Sequence, residues 1–301
     1  MVVPCYNESE SLEYFIDVFD IVAERLSSEL NVSVELILVD DGSKDDTLQK
    51  IRQICEKYSY ARYVSFSRNF GKEAAIYAGL TESTGDFVGL MDADLQDPPE
   101  LLVEMTETLL NDEYDCVATR RSTRKGEPPI RSWFAHRFYS LINKISDADI
   151  VDGARDFRLM KRTMIDAILQ MKEHNRFSKG IFGCIGFRVK WIEFENRERV
   201  AGQTKWSFWK LFKYAVDGII DFSTALLNIP IILSIIFGVS GLIGLVVSIL
   251  NSLELGIILS FISIIAAFMF ICFAIFALYI RNIVGDTQNR PIYIISERSQ
   301  K

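Results

Sequence analysis

Along the first 119 residues, short apolar runs alternate with amphipathic stretches. Residues 34–39 read VELILV, the kind of continuous apolar run that suits a parallel strand covered on both faces. Residues 62–66, 86–91 and 115–119 have the same character. Val2-Val3 starts the chain in mid-strand, so a longer natural N-terminus is expected. The stretches between these runs predict helices over 10–30, 45–58, 71–83 and 99–110. Asp97 ahead of Pro98-Pro99 looks like a capping carboxylate with a proline in the first helical turn. Repeated strand-helix alternation implies an α/β fold, a doubly wound, Rossmann-like open sheet.

The pattern changes after Thr119. Residues 120–137 hold Arg120, Arg121, Arg124, Lys125, Arg131 and Arg137 against one acid, Glu127. The segments 133–145, 176–187 and 208–222 then mix aromatics, aliphatics and cations. Such segments fit helices in a headgroup layer, within about 130–190, or equally helices packed on the sheet. For 206–224, a juxtamembrane amphipathic helix is the expectation, because it leads into residues 225–250, which carry no charge. Residues 256–280 are likewise uncharged. Since roughly 20 helical residues cross the hydrocarbon core, both are expected to be transmembrane helices. Soluble helices of that length normally keep a polar face.

Lys210 and Lys213 precede the first span, Arg281, Arg290, Arg298 and Lys301 follow the second, and the loop 251–255 has neither Lys nor Arg. The positive-inside rule then places residues 1–205 and the tail 281–301 on the cytoplasmic side of the cell membrane. With charged residues from Glu8 onward, these first residues do not resemble a cleavable signal, and none is expected in them. A net charge of −7 disfavours a nucleic-acid partner. The five cysteines lack metal-ligand spacing and read as reduced thiols. With only His136 and His174 present, a zinc centre or a Ser-His-Asp apparatus is disfavoured.

The strongest chemical signal is MDADLQD, residues 91–97, at the carboxyl end of an apolar run. Side chains two apart on an extended chain point the same way, so Asp92 and Asp94 would converge. Ligands of open α/β sheets bind at that edge. Two close carboxylates call for a hard divalent cation, Mg²⁺ or Mn²⁺, which would in turn neutralise a diphosphate. VDDGS (39–43) and PCYNE (4–8) end two further strands. Together the three ends make a nucleotide-sized site, with Tyr6 able to lie against a base. For Asp40 and Asp41 a plain turn-and-cap role stays open.

VPCYNE, LVDDGSKDDT, MDADLQDPPE, DFRLMKR and RVAGQTKW, in this order, resemble the family-two glycosyltransferases with an A-type fold. More narrowly they resemble the polyprenyl-phosphate glycosyltransferases, the relatives of dolichyl-phosphate mannose synthase and the bactoprenol glucosyltransferases. The resemblance runs over essentially the whole chain, hairpin included. It implies that Pro4, Tyr6, Glu8 and Asp40 contact the nucleoside, with Asp41 nearby. It implies that Asp92, Asp94 and Gln96 surround the metal and donor diphosphate. Asp156 falls at the acceptor-side catalytic carboxylate. Arg121, Arg131, Arg199 and Lys205 match cations that handle donor diphosphate or acceptor phosphate, with Arg199 and Lys205 stabilising the leaving group. Arg158 is a candidate partner of Asp156.

The implied reaction is inverting, metal-dependent transfer of one sugar from a nucleotide-sugar to polyprenyl (undecaprenyl) phosphate. UDP-glucose is the first choice of donor, then UDP-N-acetylglucosamine, then GDP-mannose. The resemblance also implies a homo-oligomer. Cys184 stands where relatives often carry tryptophan, and the processive Gln-x-x-Arg-Trp signature is missing. A non-catalytic nucleotide-binding scaffold is the alternative of another class; a transporter is disfavoured because the spans carry no charge.

Overall fold

The computed structural model describes residues 1–111, 113–122, 151, 153–171, 176–195 and 291–299, with a helical run at 271–280 and positions 262, 265, 268, 269 and 283 beside it. The expectations for 206–224 and 225–250, and for most of 256–270, lie outside the described residues, as do Arg131, Arg199 and Lys205. Among the described residues no helix is long and apolar enough to cross a membrane. The run 271–280 presents Ile271, Phe273, Phe276 and Ile280 as exposed side chains.

Among the described residues, eight strands form one mixed sheet. They are β1 (Val2–Cys5), β2 (Leu36–Asp40), β3 (Ala61–Phe66), β4 (Phe87–Leu90), β5 (Cys116–Arg121), β6 (Ala154–Lys161), β7 (Val189–Phe194) and β8 (Ile295–Arg298). Their spatial order is β7-β5-β6-β4-β1-β2-β3-β8. The centre, β4-β1-β2-β3, is parallel, as expected of strands joined through helices. β6 is antiparallel to both β4 and β5, and β8 is antiparallel to β3. The sheet is thus mixed where strand-helix alternation alone suggested a parallel one.

Among the described residues, these helices flank it: α1 (Leu12–Leu30), α2 (Thr47–Lys57), α3 (Lys72–Glu82), α4 (Leu101–Leu110), α5 (Arg162–Gln170) and α6 (Ser178–Cys184). Alternation along each strand splits the core into two layers. Val3, Leu36 and Leu38 pack with Phe15 and Phe19 of α1 and Met105 of α4. Val2, Ile37 and Val39 pack on the other face with Ala75 and Ala78 of α3 and Met164 and Ile165 of α5. Because helices cover both faces, every residue of β2 is buried, which explains its uninterrupted apolar run. Ile181 and Phe182 of α6 are buried in the second layer, the sheet-packing alternative for that segment.

Helix α4 starts at Leu101, with Glu100 at the capping position and no side-chain cap. The expected cap, Asp97, is turned inward instead and is 1% exposed. The two prolines sit in a turn before the helix, where Pro98 and Pro99 carbonyls accept from Leu101 and Leu102 N–H.

Candidate active site

The carboxyl ends of β4, β1, β2 and β3 lie side by side, so the loops that follow them share one rim. The loops after β1 and β2 are laced together. Asn7 N–H donates to Ser43 Oγ at 2.9 Å, and Lys44 N–H donates to Asn7 Oδ1 at 2.8 Å. Glu8 N–H reaches Thr47 Oγ1 at 2.8 Å, while Ser11 donates to the Glu8 carboxylate. Pro4 is in β1 itself, opposite Val39, and Tyr6 lies half-buried just beyond that strand.

Asp40 and Asp41 prove to be structurally engaged. Asp40 is buried, accepting from Ser43 N–H at 3.1 Å and Ser65 Oγ at 2.7 Å. Asp41 accepts from Asn69 Nδ2 at 2.8 Å and from the Phe70 and Gly71 N–H groups. It thereby fixes the loop that leads into α3, where Gly71 has a φ of +105° that side chains rarely adopt. Burial pushes the Asp41 carboxyl up to about 6, outweighing those two backbone donors.

The decisive geometry comes from β6. Its antiparallel register with β4 pairs Phe87 with Lys161 and Leu90 with Arg158. Asp92 lies two residues past the last of these pairs and Asp156 two residues before Arg158, and the two carboxylates share one cation although 64 positions separate them in the chain. Between them stands Lys72, the first residue of α3. Its Nζ lies 2.7 Å from Asp92 Oδ1 and 2.6 Å from Asp156 Oδ2. Burial works against the ammonium, but Asp156 and Asp92 outweigh it and raise its pKa well above the ordinary lysine value. Burial likewise opposes ionisation of Asp156; Lys72, Lys179 and Arg158 outweigh it and hold that carboxyl far below the usual range.

More charges surround this bridge. Arg155 Nε donates to Asp97 Oδ1 at 2.7 Å, within the field of Asp92 and Asp156. Lys179 Nζ donates to the Ala154 carbonyl at 3.2 Å. Arg158 partners Asp156 through charge and through its backbone: the guanidinium donates to the Asp156 carbonyl at 3.4 Å and to the Arg155 carbonyl at 3.0 Å, and lies over the Phe182 ring at 3.7 Å. Arg121 ends β5 at the same edge, its N–H bonded to the Gly153 carbonyl. Lys72, Arg155 and Lys179 escaped the sequence reading. One signal was available for Lys72: a cation opening a helix opposes the macrodipole, so something nearby has to compensate it.

Asp94 is nearly buried, with Oδ1 accepting from Gln96 N–H at 3.1 Å, and Leu95 between them has a φ of +55°. Strained backbone of this kind concentrates at functional sites. Among the described residues, no group of three or more His, Cys, Asp or Glu side chains is arranged to hold a metal. Two carboxylates and an amide are nevertheless hard oxygen donors, and Mg²⁺ typically takes one or two carboxylates and completes its shell with water and substrate phosphate. The chemistry of this donor set fits a hard divalent cation.

A mixed open sheet with an Asp-x-Asp turn at a rim shared by four strand ends fits the A-type glycosyltransferase fold. The chain belongs to glycosyl transferase family 2, whose pattern matches residues 1–169. It is 35% identical to an uncharacterized glycosyltransferase of Synechocystis sp., covering 99% of this chain and 94% of the relative. It is 34% identical to the bactoprenol glucosyl transferase of Shigella phage SfX, covering 99% and 98%. A prophage bactoprenol glucosyl transferase homolog of Escherichia coli is 34% identical over 98% of this chain and 97% of its own.

Proposed function

We propose that this glycosyltransferase moves one sugar, with inversion, from a nucleotide-sugar to a polyprenyl phosphate at the cytoplasmic face of the cell membrane. UDP-glucose is the favoured donor. The observation that carries the reading is the Lys72 bridge, which binds the carboxylate on the donor side, Asp92, to the one on the acceptor side, Asp156. Relatives named bactoprenol glucosyl transferases support the acceptor, since they align over nearly their whole length.

In the reaction an acceptor phosphate oxygen forms a bond to the anomeric carbon as the bond from that carbon to the nucleoside diphosphate breaks. A phosphate monoester has a second pKa near 6, so at neutral pH the nucleophile is already largely ionised. Asp156, locked in its charged form by lysines, suits orienting that acceptor rather than removing a proton. Asp92, Asp94 and Gln96 would hold Mg²⁺ or Mn²⁺, which when bound neutralises charge building on the leaving diphosphate. Arg199 and Lys205 add to the same stabilisation, and Arg121 and Arg131 capture phosphate. Spans at 225–250 and 256–280 would anchor the enzyme beside its lipid, in a homo-oligomer.

The test is a donor panel of UDP-glucose, UDP-N-acetylglucosamine and GDP-mannose with undecaprenyl phosphate, the lipid product being weighed by mass spectrometry. A hexose added to the lipid only with UDP-glucose and only with divalent cation is the expected result. Full transfer after exhaustive chelation removes the metal role, and no lipid product with any donor removes the acceptor. Arg131→Ala should raise the acceptor KM more than the donor KM.

A further inference from the structure

We infer that Lys72 is a positioning residue that doubles as a resident counter-ion, so that the site takes up its divalent cation together with the nucleotide rather than before it. The inference rests on the metal role of Asp92 proposed above. One ammonium, part-exposed, touches both oxygens of Asp92, at 2.7 and 2.9 Å, and Asp156 at 2.6 Å. A divalent cation on Asp92 must draw on the same oxygens while sitting close to a positive charge. Like charges a few ångströms apart repel strongly in a partly desolvated site.

The residues on either side of Lys72 are also anchored. Gly71 before it is fixed by Asp41, and Glu73 after it accepts from the backbone N–H and the hydroxyl of Ser178. The first turn of α3 is thus clamped from two sides, which keeps the backbone that carries Lys72 beside the carboxylates. A nucleoside diphosphate brings negative charge that offsets this crowding. Cation and nucleotide then favour each other's binding, and by linkage the effect is reciprocal. Lys72 in addition keeps Asp92 and Asp156 from repelling one another, which preserves the geometry across the reacting centre.

Mn²⁺ binding to the full-length protein in detergent, read from the loss of the free-ion electron paramagnetic resonance signal, tests this without any acceptor. Wild type should bind Mn²⁺ weakly alone and at least ~10-fold more tightly with UDP. Lys72→Met should bind Mn²⁺ alone ~10-fold more tightly than wild type, and UDP should add less. Its kcat should nevertheless fall by ~100-fold at saturating metal. Lys72→Arg, which keeps the charge, should stay close to wild type in Mn²⁺ binding.

Equal or weaker Mn²⁺ binding by Lys72→Met, in protein whose melting shows it folded, overturns the inference. A merely structural lysine would give that result, because loosening the site weakens a metal. If Lys72→Met does not fold, Lys72→Gln is read in the same way, and wild-type Mn²⁺ affinity that UDP leaves unchanged also overturns the inference. Because no lipid is present, a failure here is distinct from a wrong acceptor. Mn²⁺ that binds wild type neither alone nor with UDP sinks the metal reading itself.

Discussion

Arg155 donates to Asp97 across 2.7 Å, tying the start of β6 to the turn that follows the Asp92–Asp94 pair. The Asp97 side chain is 1% exposed and that of Arg155 is 18% exposed. Burial pushes the Asp97 carboxyl above its ordinary range, with Arg155 opposing. Removing one partner of a buried pair leaves a charge stranded, which costs about 3–5 kcal/mol, whereas losing a helix cap costs about 0.5–2 kcal/mol. Asp97→Ala should therefore lower unfolding free energy by roughly 3 kcal/mol or more. Asp97→Asn, which keeps an acceptor for Arg155 Nε, should lose less. Denaturant melts of the two variants decide it, and a loss of about 1 kcal/mol for Asp97→Ala would restore the capping role.

Asp156 makes the opposite electrostatic case. Its folded pKa is depressed, so the stability it contributes is present above the unfolded value near 4 and is lost only as pH falls below it. Its protonation cannot then shape activity near neutrality. Asp156→Asn should lose rate by about 100-fold or more, by the same factor from pH 6 to pH 9. Kinetics across that range give the answer. Recovery of the variant's rate by raising pH alone would make Asp156 a general base.

Much of this was legible in the chain because local pattern and global packing agree. VELILV reads as a doubly covered strand, and the two core layers on β2 are the reason. MDADLQD was visible as a strand end because its carboxylates follow directly on an apolar run. What no local pattern carries is which strand lies beside which. The insertion of β6 between β4 and β5, and with it the meeting of Asp92, Asp156 and Lys72, is a long-range pairing. Asp97 misled for a related reason: Asp-Pro-Pro has the local form of a cap, and a tertiary partner 58 residues away claimed the carboxylate.

The edge strand β8 was equally hidden, since Ile295 is the one apolar residue among 295–298. It covers the free edge of β3, and Tyr293 just before it stacks on Phe66 at 4.9 Å and meets the edge of Tyr77 in α3. Unpaired edges invite aggregation. Truncation before residue 291 should lower the melting temperature and raise light scattering on heating. Glu297→Ala should shift melting little, although Arg52 grips Glu297 with three contacts of 2.7 to 2.9 Å, because that pair is exposed. Calorimetry and scattering compare the two. A truncated protein that melts like wild type would show that β8 adds nothing to the fold.

Asp41 allows a test of burial against hydrogen bonding within one side chain. It accepts from Asn69, Phe70 and Gly71, which favours its charged form, yet burial carries its pKa to about 6. A folded value above the unfolded one near 4 means that the native state holds the proton more tightly. From this group alone, stability is greatest below about pH 4, falls as pH rises through about 6, and is level above that. Asp41→Asn cannot titrate. The difference in unfolding free energy between wild type and Asp41→Asn, measured by urea melts from pH 4 to 7.5, should therefore move against wild type as pH rises. A difference that moves in its favour would mean that the three donors dominate and that the carboxylate is native-stabilising, leaving Asp41 charged whenever a nucleotide approaches.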